Sequence, residues 1–359
     1  MFDFLDNWLA TGGFWVAVPL IIVGCVALIK GADFLVDGAS GLAKKYGVSD
    51  IVIGLTVVAF GTSMPEFVVN MVAVGQGSTE IAITNVLGSN IINTFVILGC
   101  TALIFPISSQ KNTRRFDIPF SMLAALLVLL FAVYNSPSWL QIEHIFNMNI
   151  ADPTLSDLGS IQMGQGNGGF ISGVGGSILL ILFLIFLWHN FKGIGSAPQT
   201  ESNEGYKPMS AKRALALILG GLVGLVVGGE LIVKSATSIA HSLGVSDAII
   251  GLTVVALGTS LPELATSCMA AFKKNCDIAL GNVIGSNIFN IFFILGTSAC
   301  VKALPGYHGL EIDALMAALG SVLVMLFVYL TKKHEIKRWH GAILLLTYAA
   351  YLTYRIISL

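Results

Sequence analysis

The chain has 359 residues, of which 55% are hydrophobic and only 11% are charged. A soluble domain of this length would carry about a quarter charged residues, so composition excludes a soluble enzyme or binding module. The formal net charge is −1, and no segment is basic enough to bind nucleic acid. The cysteines lack the spacing of metal ligands. The composition therefore predicts an integral membrane protein embedded in the lipid bilayer.

Ten apolar stretches are long enough to cross about 30 Å of hydrocarbon as helices. None of them alternates with a period of two residues, so the sequence predicts an all-α membrane protein with ten transmembrane helices. In chain order, the predicted spans are 14–36, 50–74, 79–105, 116–135, 170–190, 213–237, 248–271, 278–302, 312–331 and 341–357.

The Lys and Arg residues of the loops predict the orientation. If the N-terminus lies outside, nearly all of them fall in inside loops, as cytoplasmic loops require, and the outside segments hold only Lys302 and Arg355. We therefore expect a multi-pass protein of a bacterial inner membrane with its N-terminus outside. The polar segment 136–169 is then an extracytoplasmic insertion that lacks the spacing of a calcium loop, and 191–212 is a cytoplasmic linker.

The sequence contains an internal repeat. Residues 54–66 read GLTVVAFGTSMPE, and residues 251–263 read GLTVVALGTSLPE, 197 positions later. The same offset relates NVLGSNIIN at 85–93 to NVIGSNIFN at 282–290, which indicates a duplicated unit. Because each unit holds five spans, the second copy must enter the membrane from the opposite side. This predicts two inverted five-helix repeats, with ion sites near the midplane where they meet.

The repeat divides the chain into predicted domains. Residues 1–135 form helices 1–4 of the first repeat, and 170–190 form its fifth helix. Residues 213–359 form the second repeat.

Two glutamates lie in the middle of apolar spans at equivalent positions. Glu66 and Glu263 each follow a proline, and a proline breaks the helix because it has no N–H to donate. Broken backbone at membrane depth is tolerated only where it lines a cavity or is buried in protein. An ionisable side chain at a helix centre usually marks an ion pathway. We therefore predict that both spans break at G-T-S-x-P-E and carry the transport site.

The residues around the breaks offer oxygen ligands only. Thr62, Ser63, Thr259 and Ser260 place hydroxyls and freed carbonyls beside the carboxylates, with no His or Cys among them. Calcium accepts six to eight oxygen ligands, whereas zinc, copper and iron prefer nitrogen or sulfur. This chemistry predicts a site for a hard cation.

A second pair of polar clusters lies in the third and eighth spans. Ser89 and Asn93 are four residues apart on one helix face, and so are Ser286 and Asn290. Small-residue packing between helices could explain one such G-S-N-x-x-N motif, but its duplication next to the glutamate motif favours ion binding. Elsewhere, Gly220, Gly224 and Gly228 predict a smooth stripe for close helix packing.

The two copies of G-T-S-x-P-E followed by G-S-N-x-x-N resemble the α-repeats of the sodium/calcium exchanger family, within the calcium/cation antiporter superfamily. The resemblance covers both halves and implies ten helices, alternating access and a central group of four ion sites. It also implies the calcium ligands Glu66, Glu263 and the carbonyls of Thr62 and Thr259. The residues that it implies at the sodium sites and the middle site are Ala59, Ser63, Ser89, Ala256, Ser260 and Ser286, with Asn93 and Asn290 in the middle.

The chain departs from the pattern of some relatives at one position that bears on the coupling ion. Archaeal and potassium-dependent relatives carry Asp where this chain has Asn290, whereas animal potassium-independent exchangers resemble it in having Asn. The resemblance therefore favours a calcium-for-sodium antiporter over proton or potassium coupling. It implies no enzyme activity, no cofactor beyond the transported ions, and no obligatory protein partner.

Three alternatives remain at this stage. A calcium/proton antiporter would use the same carboxylates. A passive cation channel would usually build its filter around a central symmetry axis. A membrane-embedded metal hydrolase should show metal-ligand His or Asp residues around an open position, and the sequence offers no such set.

Overall fold

The computed structural model describes residues 3–134, 171–192, 209–244, 256–307 and 309–357. Within these ranges the chain is almost entirely helical, as predicted. The helices are α1 (Asp3–Tyr46), α2 (Asp50–Ile53), α3 (Ala59–Thr62), α4 (Met64–Gly75), α5 (Thr79–Ile91), α6 (Leu98–Ile104), α7 (Ile118–Tyr134), α8 (Gly173–Lys192), α9 (Ala211–Ser242), α10 (Ala256–Thr259), α11 (Leu261–Phe272), α12 (Cys276–Ile288), α13 (Gly296–Val301), α14 (Leu310–Leu330) and α15 (Arg338–Ile357).

Several α-helices are joined by π-helical segments, and two short strands pair with each other. The π-helical segments are Gly54–Val58, Ile92–Ile97, Thr113–Asp117 and Phe289–Leu295. Strand β1 (Ile107–Ser108) runs antiparallel to β2 (Glu335–Ile336). Because π-helical turns often occur at functional sites, the π-helical segments that follow α5 and α12 make these two helices candidates for the functional site.

Seven helices in the described ranges are long and apolar enough to cross a membrane, or eight if the bent pair Asp50–Thr62 and Met64–Gly75 counts as one span. The predicted spans 248–271 and 341–357 are not among these eight, and residues 248–255 lie outside the described residues. The count of ten therefore stays a prediction. The predicted insertion 136–169 and most of the linker 191–212 also lie outside the described residues.

The first helix extends beyond its predicted span of 14–36. It runs from Asp3 to Tyr46, with a break at Gly13, whose φ of 52° lies in the left-handed region that glycine tolerates. The predicted span begins directly after this break. The extra turns at the other end include Lys44 and Lys45, since a helix can continue past the hydrocarbon wherever its polar residues meet water.

The duplication of the sequence is also a duplication of structure. At the offset of the sequence repeat, α3, α4 and α5 recur as α10, α11 and α12, with equivalent bounds in each case. The short backbone pairings recur as well. Ile107 pairs with Ile336, and Leu304, which is the equivalent of Ile107 at that offset, pairs with Ile171.

The equivalent helices α1 and α9 pack antiparallel through their glycines. A Cβ added at Gly24 would lie 2.9 Å from the carbonyl oxygen of Gly228, and one at Gly31 would lie 2.8 Å from that of Gly221. Gly24 and Gly221 are equivalent positions of the repeat, and so are Gly31 and Gly228, so the contacts are reciprocal between the copies. Such reciprocity is what a two-fold axis between the copies would produce.

The glycines of α9 that contact α1 differ in one residue from the predicted stripe. No described residue lies within 4 Å of a Cβ at Gly220, whereas Gly221, Gly224 and Gly228 contact α1 closely. A strict spacing of four drifts around a helix with 3.6 residues per turn, so the contact line alternates steps of three and four.

α5 and α12 lie at the centre of the protein. α12 is almost completely buried, and α5 is mostly buried. The first broken helix packs onto α12 through glycine, since a Cβ at Gly285 would lie 2.6 Å from the carbonyl oxygen of Leu55. The broken helix of the first copy therefore packs directly against α12 of the second copy.

Candidate ion-binding site

Both predicted helix breaks are present. α3 ends at Thr62 and α4 begins at Met64, with a bend of 45° between the two parts of the span. The residue at the break, Ser63, has φ −84° and ψ 4°, and its equivalent Ser260 has φ −90° and ψ 4°. A proline follows in the first two positions of α4 and α11, where its missing N–H costs least.

Glu66 and Glu263 lie in the first turns of α4 and α11, and both are buried. The positive end of a helix dipole favours a negative charge at this position, but burial away from water opposes it. The two carboxylates are also close enough to repel each other. Such a pair needs compensation, which a bound cation or a proton on one carboxyl group would supply.

A chain of hydroxyl groups joins the two copies around these carboxylates. Ser63 of the first copy donates to Glu263 Oε1 of the second copy at 3.0 Å. Ser89 lies 3.5 Å from Glu66 Oε1 and 3.2 Å from the Ser260 hydroxyl. Both breaks and α5 therefore converge on one buried polar cluster, which we call the central cluster.

Asn290 extends the central cluster from α12. Its Nδ2 donates to the Ser89 hydroxyl at 3.1 Å and to Asn90 Oδ1 at 2.9 Å. Three oxygens of the cluster have no hydrogen-bond partner among the described residues: Glu66 Oε2, Glu263 Oε2 and Asn290 Oδ1. Because an unpaired buried oxygen is costly, these atoms are candidate ligands for a cation.

The remaining predicted residues surround the central cluster less directly. Thr62 donates to Asn282 Oδ1 at 3.1 Å, and the Thr62 and Ser286 hydroxyls lie near Glu263. Asn93 is fully buried, and neither atom of its amide group has a partner within the described ranges. The same holds for the buried Thr259 hydroxyl.

The two predicted alanines occupy matching backbone positions. The Ala59 carbonyl accepts from Ser63 N–H at 3.0 Å at the end of α3. Ala256 begins α10, and this placement is all that the structure describes of it.

The sequence analysis missed a second set of polar residues that support the site. Asn282 donates to the Glu263 carbonyl and to Ser267 while it accepts from Thr62. Its equivalent Asn85 donates to Asn70 at 2.8 Å. Both asparagines stood in the duplicated stretches NVLGSN and NVIGSN, so the repeat itself was the signal that could have found them.

The chemistry of the central cluster suits a hard cation. Its free groups are carboxylate and amide oxygens together with hydroxyls, which are the ligands that calcium and sodium accept. In the part of the chain that the structure describes, no three His, Cys, Asp or Glu side chains lie close enough to hold a metal ion. A cation here would therefore depend on two carboxylates and neutral oxygens.

The family of the chain follows from sequence comparison. Residues 16–192 and 213–357 match the family described as sodium/calcium exchanger protein. The chain belongs to the sodium/calcium exchanger family. This confirms the resemblance of the duplicated motifs and makes the protein a membrane cation antiporter by class, consistent with transport rather than enzymatic catalysis.

Individual exchangers resemble this one along nearly their whole length. A putative antiporter CaxA of Alkalimonas amylolytica is 35% identical over 94% of this chain and 97% of its own. The sodium/calcium exchanger MaX1 of Methanosarcina acetivorans is 34% identical over 93% of this chain and 96% of its own. A solved structure of the sodium-calcium exchanger NCX_Mj, soaked with Na⁺ and Sr²⁺, matches with a TM-score of 0.74, 32% identity, and coverage of 96% and 99%.

Proposed function

We propose that this exchanger moves calcium in exchange for sodium, with Glu66 and Glu263 as the shared anionic ligands. The observation that carries this proposal is the central cluster itself. Two glutamates from equivalent helix breaks lie in one buried network, and each has a carboxylate oxygen without a partner among the described residues. Their two negative charges would balance one Ca²⁺ or two Na⁺, so the ions would compete for one site.

The other predicted ligands complete this proposal. The hydroxyls of Ser63, Ser89, Ser260 and Ser286 would serve sodium together with the carbonyls of Ala59 and Ala256, and the carbonyls of Thr62 and Thr259 would serve calcium. Asn93 and Asn290 would contribute amide oxygens from opposite copies. Within the described ranges the Asn290 oxygen and the Asn93 amide have no hydrogen-bond partner, which supports these roles.

The same proposal includes alternating access through ten helices arranged as two inverted repeats. The antiparallel contact of α1 with α9 and the duplicated bounds of the helices support the inversion. Close glycine packing between α1 and α9 would hold these two helices together as one pair, which would slide past the other helices while the site stays fixed.

Calcium uptake into proteoliposomes tests the function directly. Purified protein is reconstituted, and uptake is compared under an imposed sodium gradient, a pH gradient of equal size, and no gradient. The proposal expects uptake with the sodium gradient alone. Uptake driven by the pH gradient would indicate a calcium/proton antiporter, and uptake without either gradient would indicate a passive channel.

We further propose that the N-terminus faces outside in a bacterial inner membrane. The distribution of Lys and Arg supports this orientation. Single cysteines introduced at Lys45 and Lys302 in a cysteine-free background test it. A membrane-impermeant maleimide applied from outside should label the cysteine at 302 and leave the one at 45 unlabelled, and the opposite pattern would reverse the topology.

A further inference from the structure

Two buried aspartates at equivalent outer positions of the copies have different partners. α8 and α15 are the last helices of their copies and have equal length, and Asn190 and Arg355 both occupy the third position from the end. Asp117 corresponds to Asp313, although the offset here is one residue shorter than in the rest of the repeat. The π-helical turn Thr113–Asp117 explains this, because it contains one more residue than an α-helical turn. Each aspartate therefore faces its copy's last helix, but one meets a neutral amide and the other a cation.

In the second copy, Asp313 has a complete set of partners. It accepts from the hydroxyls of Tyr307 at 2.6 Å and Tyr351 at 2.8 Å, and it forms an ion pair with Arg355 Nε at 3.3 Å. Burial, followed by the charge of Asp313, raises the pKa of Tyr307 well above its ordinary value, so its hydroxyl remains a donor. Both carboxylate oxygens of Asp313 thus have hydrogen-bond donors, and one of the donors is a cation.

In the first copy, the partners of Asp117 are incomplete for a carboxylate. Asp117 and Asn190 are 1% and 2% exposed, and Asn190 Nδ2 donates to Asp117 Oδ1 at 3.3 Å. The other oxygen of each side chain, Asp117 Oδ2 and Asn190 Oδ1, has no hydrogen-bond partner among the described residues. The Thr113 hydroxyl lies near Asp117 and could donate one bond to the carboxylate, but the Asn190 oxygen would still lack a donor.

The charged groups near Asp117 interact with other partners. On its own segment, Arg114 donates to the Ser109 carbonyl and Arg115 is exposed. On α8, the His189 ring stacks on Phe116 and Lys192 lies over the Trp188 ring. From the elements packed beside it, Asp277 of α12 accepts from Gln110, and Tyr329 of α14 donates to the Arg114 carbonyl. Among the described residues, no ion pair reaches Asp117.

We propose that Asp117 and Asn190 form a buried proton-binding site, in which a proton on Asp117 Oδ2 is donated to the amide oxygen of Asn190. A neutral carboxyl group is both a donor and an acceptor, whereas a carboxylate only accepts. One proton thus pairs both free oxygens and closes a two-bond acid–amide pair. It also removes the large cost of a buried charge without a counterion.

The consequence is a difference in how pH acts on the two copies. At neutral pH the folded chain holds a proton on Asp117 that the unfolded chain has released. Folding therefore takes up this proton, and stability falls as pH rises. The second copy has an ion pair at this position instead, so the proposed proton site belongs to the first copy alone. The Asp117 proton joins the start of α7 to the end of α8, and neither Asp117 nor Asn190 is bonded to a residue of the central cluster in the described part of the chain. Its role in the proposal is therefore structural and separate from ion exchange.

Matched substitutions in the full-length protein in detergent test this site. Asp117→Asn mimics the neutral acid, and Asp313→Asn is its control in the other copy. We expect the Tm of Asp117→Asn to equal that of the parent at neutral pH and to exceed it at alkaline pH. Asp313→Asn should lose on the order of 5 °C at neutral pH, because it removes the buried ion pair with Arg355.

Infrared spectroscopy provides a second readout that does not depend on transport. The carboxylic-acid C=O band of the parent at neutral pH should lose one component in Asp117→Asn. Asn190→Arg should remove the same component, because the new cation ionises Asp117. The proposal is overturned if that component persists in both variants, or if Asp117→Asn lowers the neutral Tm as much as Asp313→Asn does.

Discussion

The two copies of the duplicated unit agree around their helix breaks and differ at their outer ends. At the breaks, Ser63 and Ser260 have nearly the same backbone angles, and a buried glutamate follows each. At the outer ends, one aspartate pairs with Asn190 and its equivalent with Arg355. In the proposed function the groups at the breaks share one cation, whereas the outer contacts need only to satisfy their own atoms.

The agreement at the centre is itself incomplete. Asn290 donates two hydrogen bonds to the first copy, whereas the amide of its equivalent Asn93 has no partner in the described part of the chain. Ser63 is bonded to Glu263, and Ser89 lies at the longer distance of 3.5 Å from Glu66. The opposite holds for the hydroxyls: among the described residues, Thr62 and Ser89 of the first copy have partners, whereas their equivalents Thr259 and Ser286 have none. Neither copy is held more firmly throughout, and substitutions can test which of these differences matter.

The largest effect on calcium uptake is expected from replacing either glutamate, and the two copies should behave alike here. Glu66→Gln and Glu263→Gln each remove one of the two charges that offset a divalent ion in a low-dielectric site. We expect either change to reduce calcium uptake to the level of protein-free vesicles, while the purified variant keeps the elution profile of the parent. Calcium exchange retained by one of the two variants would remove that residue from the site.

A large loss of stability is expected where the copies touch through glycine. A Cβ at Gly221 would lie 2.7 Å from the Gly31 carbonyl oxygen, whereas no described residue lies within 4 Å of one at Gly220. Gly221→Ala should therefore destabilise the protein by about 1–3 kcal/mol, because the backbones of α1 and α9 must separate. Gly220→Ala is the control and should be neutral or stabilising. Equal unfolding midpoints for both variants would contradict the close contact.

Asn282 and its equivalent Asn85 should differ in how much their replacement lowers stability and calcium uptake. Asn282→Ala breaks three buried hydrogen bonds and leaves the Thr62 hydroxyl with only a long contact of 3.4 Å to the Ala59 carbonyl. Asn85→Ala breaks one partly buried bond to Asn70. We expect about 1–3 kcal/mol of destabilisation and slower calcium uptake for Asn282→Ala, and less of both for Asn85→Ala. Thermal unfolding and initial uptake rates measure the two effects, and equal losses would show that the extra bonds are unimportant.

The smallest effect on folding, and the sharpest on selectivity, is expected at the middle asparagines. Asn290→Asp adds a third carboxylate to the central cluster, which favours holding a proton or an extra monovalent cation there. Calcium flux in this variant should therefore become more sensitive to pH or potassium than in the parent. Asn93→Asp is the matched change in the other copy.

Calcium flux measured across pH, with and without potassium, distinguishes these variants. Superimposable profiles for Asn290→Asp and the parent would show that Asn290 does not contact the ion pathway. A change in the Asn93→Asp profile alone would assign the middle site to the first copy.

Much of the fold could be predicted because the bilayer restricts the solutions. A chain with so few charges must satisfy its backbone inside helices, and the breaks at Ser63 and Ser260 followed from a proline placed in each apolar span. The glycine contact line could not be predicted to the residue. Its register depends on how α1 and α9 cross, and no local pattern distinguishes Gly220 from Gly221.

The sequence by itself determined the duplicated unit, the helical class, and the glutamates that follow each break, since these depend on composition, periodicity and local backbone chemistry. Only the tertiary structure decided that Ser63 bonds to the glutamate of the other copy, and that Asn282 supports Thr62 from the opposite half of the chain. It also decided that Asp117 faces an amide and Asp313 an arginine. These pairings depend on which helix faces meet, and helix faces meet according to the packing of the whole chain.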